Sequence, residues 1–496
     1  MKLNNSTLTQ LDSRVHRPSY LRNMRKHGIV HIGVGGFHRS HEAVYTEQLL
    51  QKGDGNWAIC GVGLRESDRA MQQALAQQDY LYTLMELDHQ QETKVSVIGA
   101  ISNFLFAPDS PAAVLEKLAD PDVRIASLTI TEGGYNVDDN TGEFNLNNPD
   151  IIHDLNNPAS PCTVFGYLCE ALARRKARGI KPFTVMSCDN LPHNGQVARK
   201  ALLAFAQQSD PELYDWINIH VSFPNSMVDR ITPMTIPEHT QWLADNYDIE
   251  DRWPVICEPF MQWVLEDDFC NGRPDWDTVG VQLTQDVTPY ELMKIRLLNA
   301  SHSAMGYLGY LAGYRYTNDV MNDRRFVSFI RNFMNNDVTP VLGNIPGVDI
   351  EAYKDTLIQR FSNQKMADQL ARLCMDGSGK IPKFLTPTIQ QCLSQGLPLH
   401  RLAFIIAGWA AYLRSQAVDA IQDPMAERLK VAVSQGSSIS DAFLNLEDLF
   451  GSELIASDEF TQLFNTALTQ IESQGVLDML EALNAQAVQA EERQHV

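Results

Sequence analysis

Residues 27–39 read HGIVHIGVGGFHR, a β-branched strand that runs straight into a glycine turn. A helical stretch follows the turn, and a second strand at 57–64 completes a βαβ unit. Gly33 and Gly35 meet the first two positions of the G-x-G-x-x-G pattern, in which glycines let a pyrophosphate approach the backbone N–H groups of a helix N-terminus. His38 occupies the third position, so the match is incomplete. The place of the turn between strand and helix still favours a dinucleotide site over a purely structural turn.

Strands and helices alternate through the first part of the chain. Further strands are predicted at 95–101, 125–130, 183–188 and 220–221. Because this alternation is typical of a mostly parallel sheet, we predict an α/β fold that begins with a doubly wound, Rossmann-type domain.

The pattern changes near residue 287, where long helical segments replace the alternation. Helices are predicted at 290–313, 326–335, 350–361, 366–374, 388–395, 399–416 and 458–490. We therefore place a domain boundary at Thr288-Pro289. Residues 1–287 are expected to form a Rossmann-type NAD-binding domain, and residues 288–496 a mostly α-helical substrate and catalytic domain.

Composition narrows the class of function. The formal net charge of −21 opposes binding to nucleic acid or to an anionic membrane. The longest apolar run, 402–413, is too short to span a bilayer and reads as a buried helix. The eight cysteines form no C-x-x-C pair, which argues against a zinc knuckle and a redox dithiol. With no secretory signal at the N-terminus, we expect a cytoplasmic protein that acts on small molecules.

An acidic residue at the end of the second strand is expected to bind the adenosine ribose. Asp68 and Glu66 are the candidates, and a carboxylate there would repel a 2′-phosphate, so NAD is favoured over NADP. The flanking Arg65 and Arg69 weaken this inference. A solvated charged loop is the alternative.

Two polar loops follow predicted strands. Residues 131–135 read TEGGY, and residues 187–195 read SCDNLPHNG. Loops at the ends of parallel strands commonly line the cofactor crevice, so both are candidate site loops. Because Asn, Asp and Gly also favour turns, an ordinary turn is the alternative for each.

Four polar residues share one arc of the first predicted helix of the second domain. With about 100° per residue and Lys294 at zero, Glu291 lies near 60°, His302 near 80° and Asn299 near 140°. No Gly or Pro interrupts the run before Gly306, so a regular helix is expected. Such a cluster must be satisfied internally or face a ligand, which indicates an active site. The alternative is a hydrogen-bonded polar patch.

A metal site is not expected. His38 and His41 could form a ligand pair, but no carboxylate or cysteine stands at a recognised ligand spacing. Residues 375–382 are not a phosphate-binding P-loop, because Lys380 is followed by Ile and the leading glycine is absent.

Taken together, the motifs resemble those of the polyol-specific long-chain dehydrogenases, the mannitol 2-dehydrogenase family. The resemblance covers nearly the whole chain and rests on 33–39, 131–135, 187–195 and the Lys294-x4-Asn299-x2-His302 pattern. It implies a Rossmann-type domain, a mostly helical second domain, no catalytic metal, and hydride transfer between NAD and a polyol or its ketose. The expected reaction is reversible oxidation of D-mannitol to D-fructose. Reduction of fructuronate, or another reaction of the same family, is the alternative.

The resemblance also assigns roles to residues. Lys294 would be the general base, a role that requires a pKa lowered toward neutrality, as burial would provide. Asn190 and Asn299 would donate hydrogen bonds to the developing alkoxide. His302 would orient Lys294 or the substrate, and Glu291 would provide a proton exit unless it is a plain surface residue.

The remaining expected site residues bind the cofactor or the substrate. The cofactor set is Gly33, Gly35, Gly36, Phe37, Asp68, Thr131 and Glu132. The substrate set is Asp229, Arg372 and Lys380. Ser67 stands where the family can carry a second acidic residue, so the NAD preference is expected to be less strict. Apart from NAD and a small polyol or ketose, we expect no nucleic-acid or membrane partner, and a monomer or weak oligomer.

Overall fold

The chain divides into two compact units, Met1–Thr288 and Pro289–Val496. The computed structural model describes residues 1–88, 90–138, 142–434 and 439–494. Within these ranges, no helix combines the length and the apolar character that crossing a membrane requires.

All strands with residue bounds lie in the first unit. They are β1 (His27–Ile32), β2 (Ala58–Gly63), β3 (Tyr82–Glu86), β4 (Lys94–Ile98), β5 (Ile101–Phe106), β6 (Ile125–Leu128), β7 (Thr184–Ser187), β8 (Ser226–Asp229), β9 (Val255–Cys257), β10 (Gln262–Glu266) and β11 (Gln282–Thr284).

The main sheet is parallel throughout and has the strand order β5-β2-β1-β6-β7. In its register, Val30 of the central β1 lies opposite Cys60 of β2 and Ala126 of β6. This order corresponds to the first five strands, 3-2-1-4-5, of the Rossmann sheet, with β5 as its third strand and β6 and β7 as its fourth and fifth. The predicted Rossmann-type fold is therefore confirmed.

Side chains of β1 alternate between two apolar cores. Val30 and Ile32 face one buried cluster, and Ile29 belongs to the other. Because successive side chains point to opposite faces of a strand, His31 lies on the same face as Ile29. Both faces of the sheet are thus covered, as expected of a parallel sheet.

The helices of the first unit surround these sheets. They are α1 (Gly36–Ser40), α2 (Glu42–Gln51), α3 (Arg69–Ala76), α4 (Pro111–Leu118), α5 (Thr131–Gly134), α6 (Pro149–Asn156), α7 (Val164–Ala177), α8 (Asn194–Ser209), α9 (Pro211–His220) and α10 (Pro237–Tyr247). Several start on strong local signals: Ser110, Asn148 and Asp210 each accept a backbone N–H bond just before a proline at the first helical position.

Two strand predictions in this unit are wrong. The predicted strand at 220–221 is in fact the end of α9, because the Asp210 cap and Pro211 start a helix that runs through His220. The segment 95–101 is not one strand either. It contains the last four residues of β4 and the first residue of β5, and β4 belongs to a separate sheet, β4-β3-β9. A third sheet, β11-β10-β8, was also not predicted.

From residue 288 onward the described chain is helical. Its α-helices are α11 (Thr288–Met293), α12 (Ala300–Leu311), α13 (Thr317–Asn322), α14 (Arg324–Asn332), α15 (Thr339–Leu342), α16 (Ile350–Phe361), α17 (Leu370–Cys374), α18 (Gly377–Phe384), α19 (Thr386–Ser394), α20 (His400–Ser415), α21 (Ala426–Ser434), α22 (Ile439–Phe443), α23 (Glu447–Ile455), α24 (Asp458–Gln474) and α25 (Val476–Gln494). The predicted helical second domain is confirmed, and its apolar run 402–413 is buried throughout.

Two helices of this unit differ from their predictions. The segment 458–490 is not one helix but two, because Gly475 adopts a left-handed φ of 88° and ends α24. The helix predicted at 290–313 is interrupted by a π-helical turn at Lys294–Asn299. A second π-helical turn at Phe333–Val338 follows α14 and packs against the first.

Candidate active site

The glycine turn after β1 can accept only glycine at its first position. Gly33 has a φ of 94°, and a Cβ atom there would lie 2.1 Å from the carbonyl oxygen of Thr129. The Thr129 hydroxyl in turn donates to the Gly33 carbonyl oxygen at 2.7 Å. Gly35 caps the start of α1. This geometry fits the close backbone approach that a pyrophosphate needs.

Gly36 and Phe37 begin α1, directly after the turn. Both line a cavity of about 1120 Å³ in the first unit, together with Thr232. A Cβ atom added at Gly36 would meet the Thr232 methyl group at 3.6 Å, which is an ordinary contact. Gly36 is therefore not required for steric reasons, in contrast to Gly33.

Asp68 lies at the carboxyl end of β2, where the ribose-binding residue was expected. A Cβ atom at Gly63, the last residue of β2, would lie 2.9 Å from the Asp68 Cβ atom. One Asp68 carboxylate oxygen accepts the Arg65 backbone N–H at 3.0 Å. The carboxylate is thus held against the strand end by its own loop.

The neighbouring Arg69 is already bound by two carboxylates. Its guanidinium pairs with Glu66 and with Asp109, and it lies 4.3 Å from the centre of the Phe106 ring. Glu66 is therefore engaged with Arg69, which leaves Asp68 as the better candidate for the ribose. The same pairing reduces the positive charge that Arg69 could offer to a 2′-phosphate.

The two polar site loops start at neighbouring strand ends of the sheet. Thr131 and Glu132 begin α5 just after β6, and both are exposed. Asn190 is also exposed and follows Asp189, which is buried. Burial raises the pKa of the Asp189 carboxyl, although hydrogen bonds from the Ile130 N–H and other groups oppose the shift.

Asp229, the predicted substrate residue of the first unit, is the last residue of β8. It lies opposite Gln262 of β10 and is 5% exposed. The next residue, Arg230, donates to the carboxylate of Glu86 at 2.8 Å. The end of β8 is therefore held by its pairing with β10 and by the bond from Arg230 to Glu86.

Lys294 and Asn299 lie on the first π-helical turn, not on a regular α-helix. The Ala300 N–H donates to the Ile295 carbonyl, five residues back, instead of the usual four. The arc calculated at 100° per residue is therefore wrong across this turn. Lys294 is 7% exposed and Asn299 9%. Glu291 is 6% exposed, so the alternative that it is a plain surface residue is wrong.

His302 and the two predicted substrate cations lie on helices that pack together. The His302 ring lies 4.8 Å from the ring of Phe361. Arg372 lies on α17, which packs against α12, and Lys380 lies on α18, which packs against the π-helical turn of Lys294.

The two cations differ in their surroundings. Arg372 forms an ion pair with Asp368, and this hydrogen-bonded pairing raises the pKa of the guanidinium. Lys380 donates to the Leu373 carbonyl oxygen at 3.3 Å. Burial lowers the pKa of Lys380.

A histidine and carboxylate cluster lies beneath the glycine turn. Glu42 lies within 3.1 Å of a His31 ring nitrogen and 3.7 Å of a His38 ring nitrogen, so a carboxylate does lie beside His38, although no recognised metal-ligand spacing in the sequence indicated it. The two rings are stacked, with centroids 3.4 Å apart. Their in-plane lone pairs are therefore nearly parallel and do not converge on one tetrahedral ion. This arrangement does not fit a metal, and metal independence stays a prediction.

Sequence reasoning missed the groups that hold these site residues in place. Asp189 lies in the predicted loop 187–195 but has no predicted role, and no π-helical turn is predicted. The available signal for Asp189 was its place just after a predicted strand and directly before the amide residue Asn190. The π-helical turns have no marker in the sequence, because neither contains glycine or proline.

Comparison with known proteins gives matches over both units. Residues 27–278 match the mannitol dehydrogenase Rossmann domain, and residues 286–472 match the mannitol dehydrogenase C-terminal domain. The chain is 48% identical to a mannitol 2-dehydrogenase of Phaeosphaeria nodorum, over 96% of this chain and 84% of the relative. It is 46% identical to a mannitol 2-dehydrogenase of Aspergillus oryzae, over 97% and 98% of the two chains.

Two solved structures are similar over nearly the whole chain. One is Pseudomonas fluorescens mannitol 2-dehydrogenase in a ternary complex with NAD and D-mannitol, with 54% identity, a TM-score of 0.86, and coverage of 97% of this chain and 99% of that one. The other is a substrate-free D-sorbitol dehydrogenase, with 40% identity, a TM-score of 0.89, and coverage of 96% and 99%. By these matches over both units, the chain belongs to the mannitol dehydrogenase family.

Proposed function

We propose that this protein catalyses the reversible, NAD-dependent oxidation of D-mannitol to D-fructose, with Lys294 as the general base. The observation that carries the proposal is the buried Lys294 on a π-helical turn that also contains Asn299. Turns of this kind are frequent at functional sites. The bound ligands of the Pseudomonas fluorescens relative support the choice of NAD and D-mannitol.

The glycine turn and its neighbours would hold the cofactor. Gly33, Gly35, Gly36 and Phe37 would contact the pyrophosphate, and Asp68 would accept hydrogen bonds from the adenosine ribose. Thr131 and Glu132, at the end of β6, complete the proposed set. When bound, NAD would supply the hydride acceptor.

Lys294 would take the proton from the C2 hydroxyl of the polyol at its Nζ atom. Burial disfavours the charged form of a lysine, which is the change that a base near neutral pH needs. Asn190 and Asn299 would donate amide N–H bonds to the developing alkoxide. His302 would orient Lys294 or the substrate, and the buried Glu291 would pass the proton outward from one turn before Lys294.

The charges around the proposed substrate residues favour a neutral polyol. Asp229 is a buried carboxylate that can accept hydroxyl hydrogen bonds but would repel a uronate. Arg372 is already paired with Asp368, so its charge is largely compensated. Lys380 is the cation that supports the second candidate, reduction of fructuronate.

Metal independence is part of the proposal. A lysine that manages the proton takes the place of a metal-bound alkoxide, so the reaction needs no Lewis acid. A monomeric or weakly oligomeric state and a cytoplasmic location also stay predictions.

The test follows NADH absorbance with a panel of substrates. Oxidation of mannitol, sorbitol and other polyols with NAD is measured beside reduction of fructose and fructuronate with NADH. We expect mannitol and fructose to give the highest kcat/KM in each direction. A higher kcat/KM for fructuronate than for fructose would overturn the mannitol assignment, and a higher value for sorbitol would move it to another polyol.

A further inference from the structure

The Asp189 carboxylate ties together the two polar loops of the first unit. One of its oxygens accepts the Ile130 backbone N–H at 3.0 Å and the Tyr135 hydroxyl at 2.7 Å. The other accepts the Thr131 backbone N–H at 2.9 Å. Three donors from the loop after β6 therefore converge on one buried carboxylate in the loop after β7.

The loop after β6, which donates these hydrogen bonds, has an unfavourable backbone conformation at one residue. Thr131 has a φ of 61°, a left-handed value that a β-branched residue rarely adopts. Such conformations persist when the surrounding structure over-determines them, and they cluster at functional sites. The bond from the Thr131 N–H to Asp189 is one such constraint, and Tyr135, which is 1% exposed, anchors the far end of α5.

A second set of hydrogen bonds holds the loop after β7, which carries Asp189 and Asn190. The Asn194 side-chain amide donates to the Asp189 carbonyl oxygen at 3.0 Å and to the Ser226 carbonyl oxygen at 2.8 Å. Its oxygen accepts the Ser226 N–H at 2.9 Å. Ser226 begins β8, the strand that ends at Asp229. Asn190 therefore lies in a segment held by two anchors, one to the loop after β6 and one to the start of β8.

We propose that Asp189 is a positioning residue that fixes the Asn190 amide for hydrogen bonding to the developing alkoxide. This inference rests on the function proposed above for Asn190. A carboxylate is needed because it accepts at both oxygens. An asparagine would present its NH₂ group to at least one of the N–H or O–H donors, so the clamp would lose bonds on the Thr131 side or the Ile130 side.

The experiment is a double-mutant cycle of Asp189→Asn with Asn190→Ala. Asp189→Asn is expected to lower kcat for mannitol about 10²-fold, because a misplaced group near the reacting atoms has an effect of this size. The KM for mannitol should stay near the wild-type value, since the alkoxide forms only in the transition state. In the Asn190→Ala background, Asp189→Asn should lower kcat by less than ~3-fold, because residues that act as a unit are not additive.

Other outcomes would contradict either the positioning role of Asp189 or the proposed role of Asn190. Near-normal kcat in Asp189→Asn, or an undiminished loss in the Asn190→Ala background, overturns the positioning role and leaves the proposed function standing. Wild-type kcat in Asn190→Ala overturns the role of Asn190 in the proposed function, and this inference with it.

Tyr135→Phe provides a second variant should Asp189→Asn fail to fold. It removes one of the three donors and keeps the buried ring. Tyr135 donates one of the three hydrogen bonds to the carboxylate, and its loss is expected to lower kcat by roughly 2–10-fold. This decrease in kcat should be absent when Tyr135→Phe is combined with Asn190→Ala. If the decrease persists in the double variant, the positioning role is overturned.

Discussion

Lys294 and Asn299 are the first and last residues of one π-helical turn. Because each residue of such a turn rotates less than one of an α-helix, the turn sets the angle between the two side chains differently from a regular helix. The angle between the Lys294 and Asn299 side chains therefore depends on the π-helical turn and does not follow from their spacing in the sequence alone.

Deletion of Ile295 tests whether this turn matters. Removing one residue should restore regular four-residue hydrogen bonding. Lys294 and Asn299 would then stand four residues apart on one helix face, but without the local backbone geometry of the π-helical turn. We expect kcat to fall about 10²-fold while the helix content by circular dichroism is retained. Near-normal kcat in a folded deletion variant would show that the turn is not needed for the chemistry.

The preference for NAD should depend on Asp68. Asp68→Ala is expected to raise the ratio of kcat/KM for NADP over NAD by roughly tenfold, since one nearby charge contributes about 1–4 kcal/mol. Because Glu66 and Asp109 hold Arg69, adding Glu66→Ala should raise the ratio further. A wild-type enzyme that already prefers NADP would show that Asp68 does not face the ribose.

Activity should survive prolonged treatment with a chelator. The stacked rings of His31 and His38 do not fit a metal, and the proposed base is a lysine. The measurement is kcat before and after chelation, together with the metal content of the purified protein. Stoichiometric zinc, with loss of activity on its removal, would place the enzyme in a different dehydrogenase class.

The second π-helical turn contains a buried carboxyl group that should make stability depend on pH. Burial raises the pKa of Asp337 from 3.8 to about 6, although the ion pair with Arg401 opposes the shift. The pKa is higher in the folded state than in the unfolded chain. Protonated Asp337 therefore contributes about 3 kcal/mol to the free energy of unfolding. This contribution is fully present below pH 4 and is lost as the pH rises through about 6.

Asp337→Asn should remove this part of the pH dependence. The measurement is Tm at several pH values between 4 and 7, in wild type, in Asp337→Asn and in Asp441→Asn as a control for an exposed carboxylate of the same unit. We expect a smaller decrease in Tm with rising pH for Asp337→Asn than for wild type. Equal slopes in all three proteins would contradict the assigned shift.

Local patterns in the sequence were sufficient for much of the first unit. The strand, glycine turn and helix around Gly33 are contiguous, and Asp68 lies in the loop just after its strand, so both could be placed without knowledge of tertiary structure. Asp189 could not be given its role, because its partners Ile130, Thr131 and Tyr135 lie 59, 58 and 54 residues away.

The π-helical turns could not be predicted from the sequence for a different reason. A helical wheel assumes 100° per residue, and nothing in the run from Lys294 to Asn299 marks a departure from it. The clustering of polar residues was still informative, because Glu291, Lys294 and Asn299 are all buried. The sequence thus identified the candidate residues but not their relative orientation.

The most direct test of the account is Lys294→Ala. We expect kcat for mannitol oxidation to fall by about 10²–10⁴-fold, with NADH affinity by fluorescence nearly unchanged, because the base is needed for proton transfer and not for the cofactor. Added methylamine should restore part of the turnover in this variant and none in Asn190→Ala. Near-normal turnover of folded Lys294→Ala across pH 6–10 would contradict the central claim that Lys294 is the base.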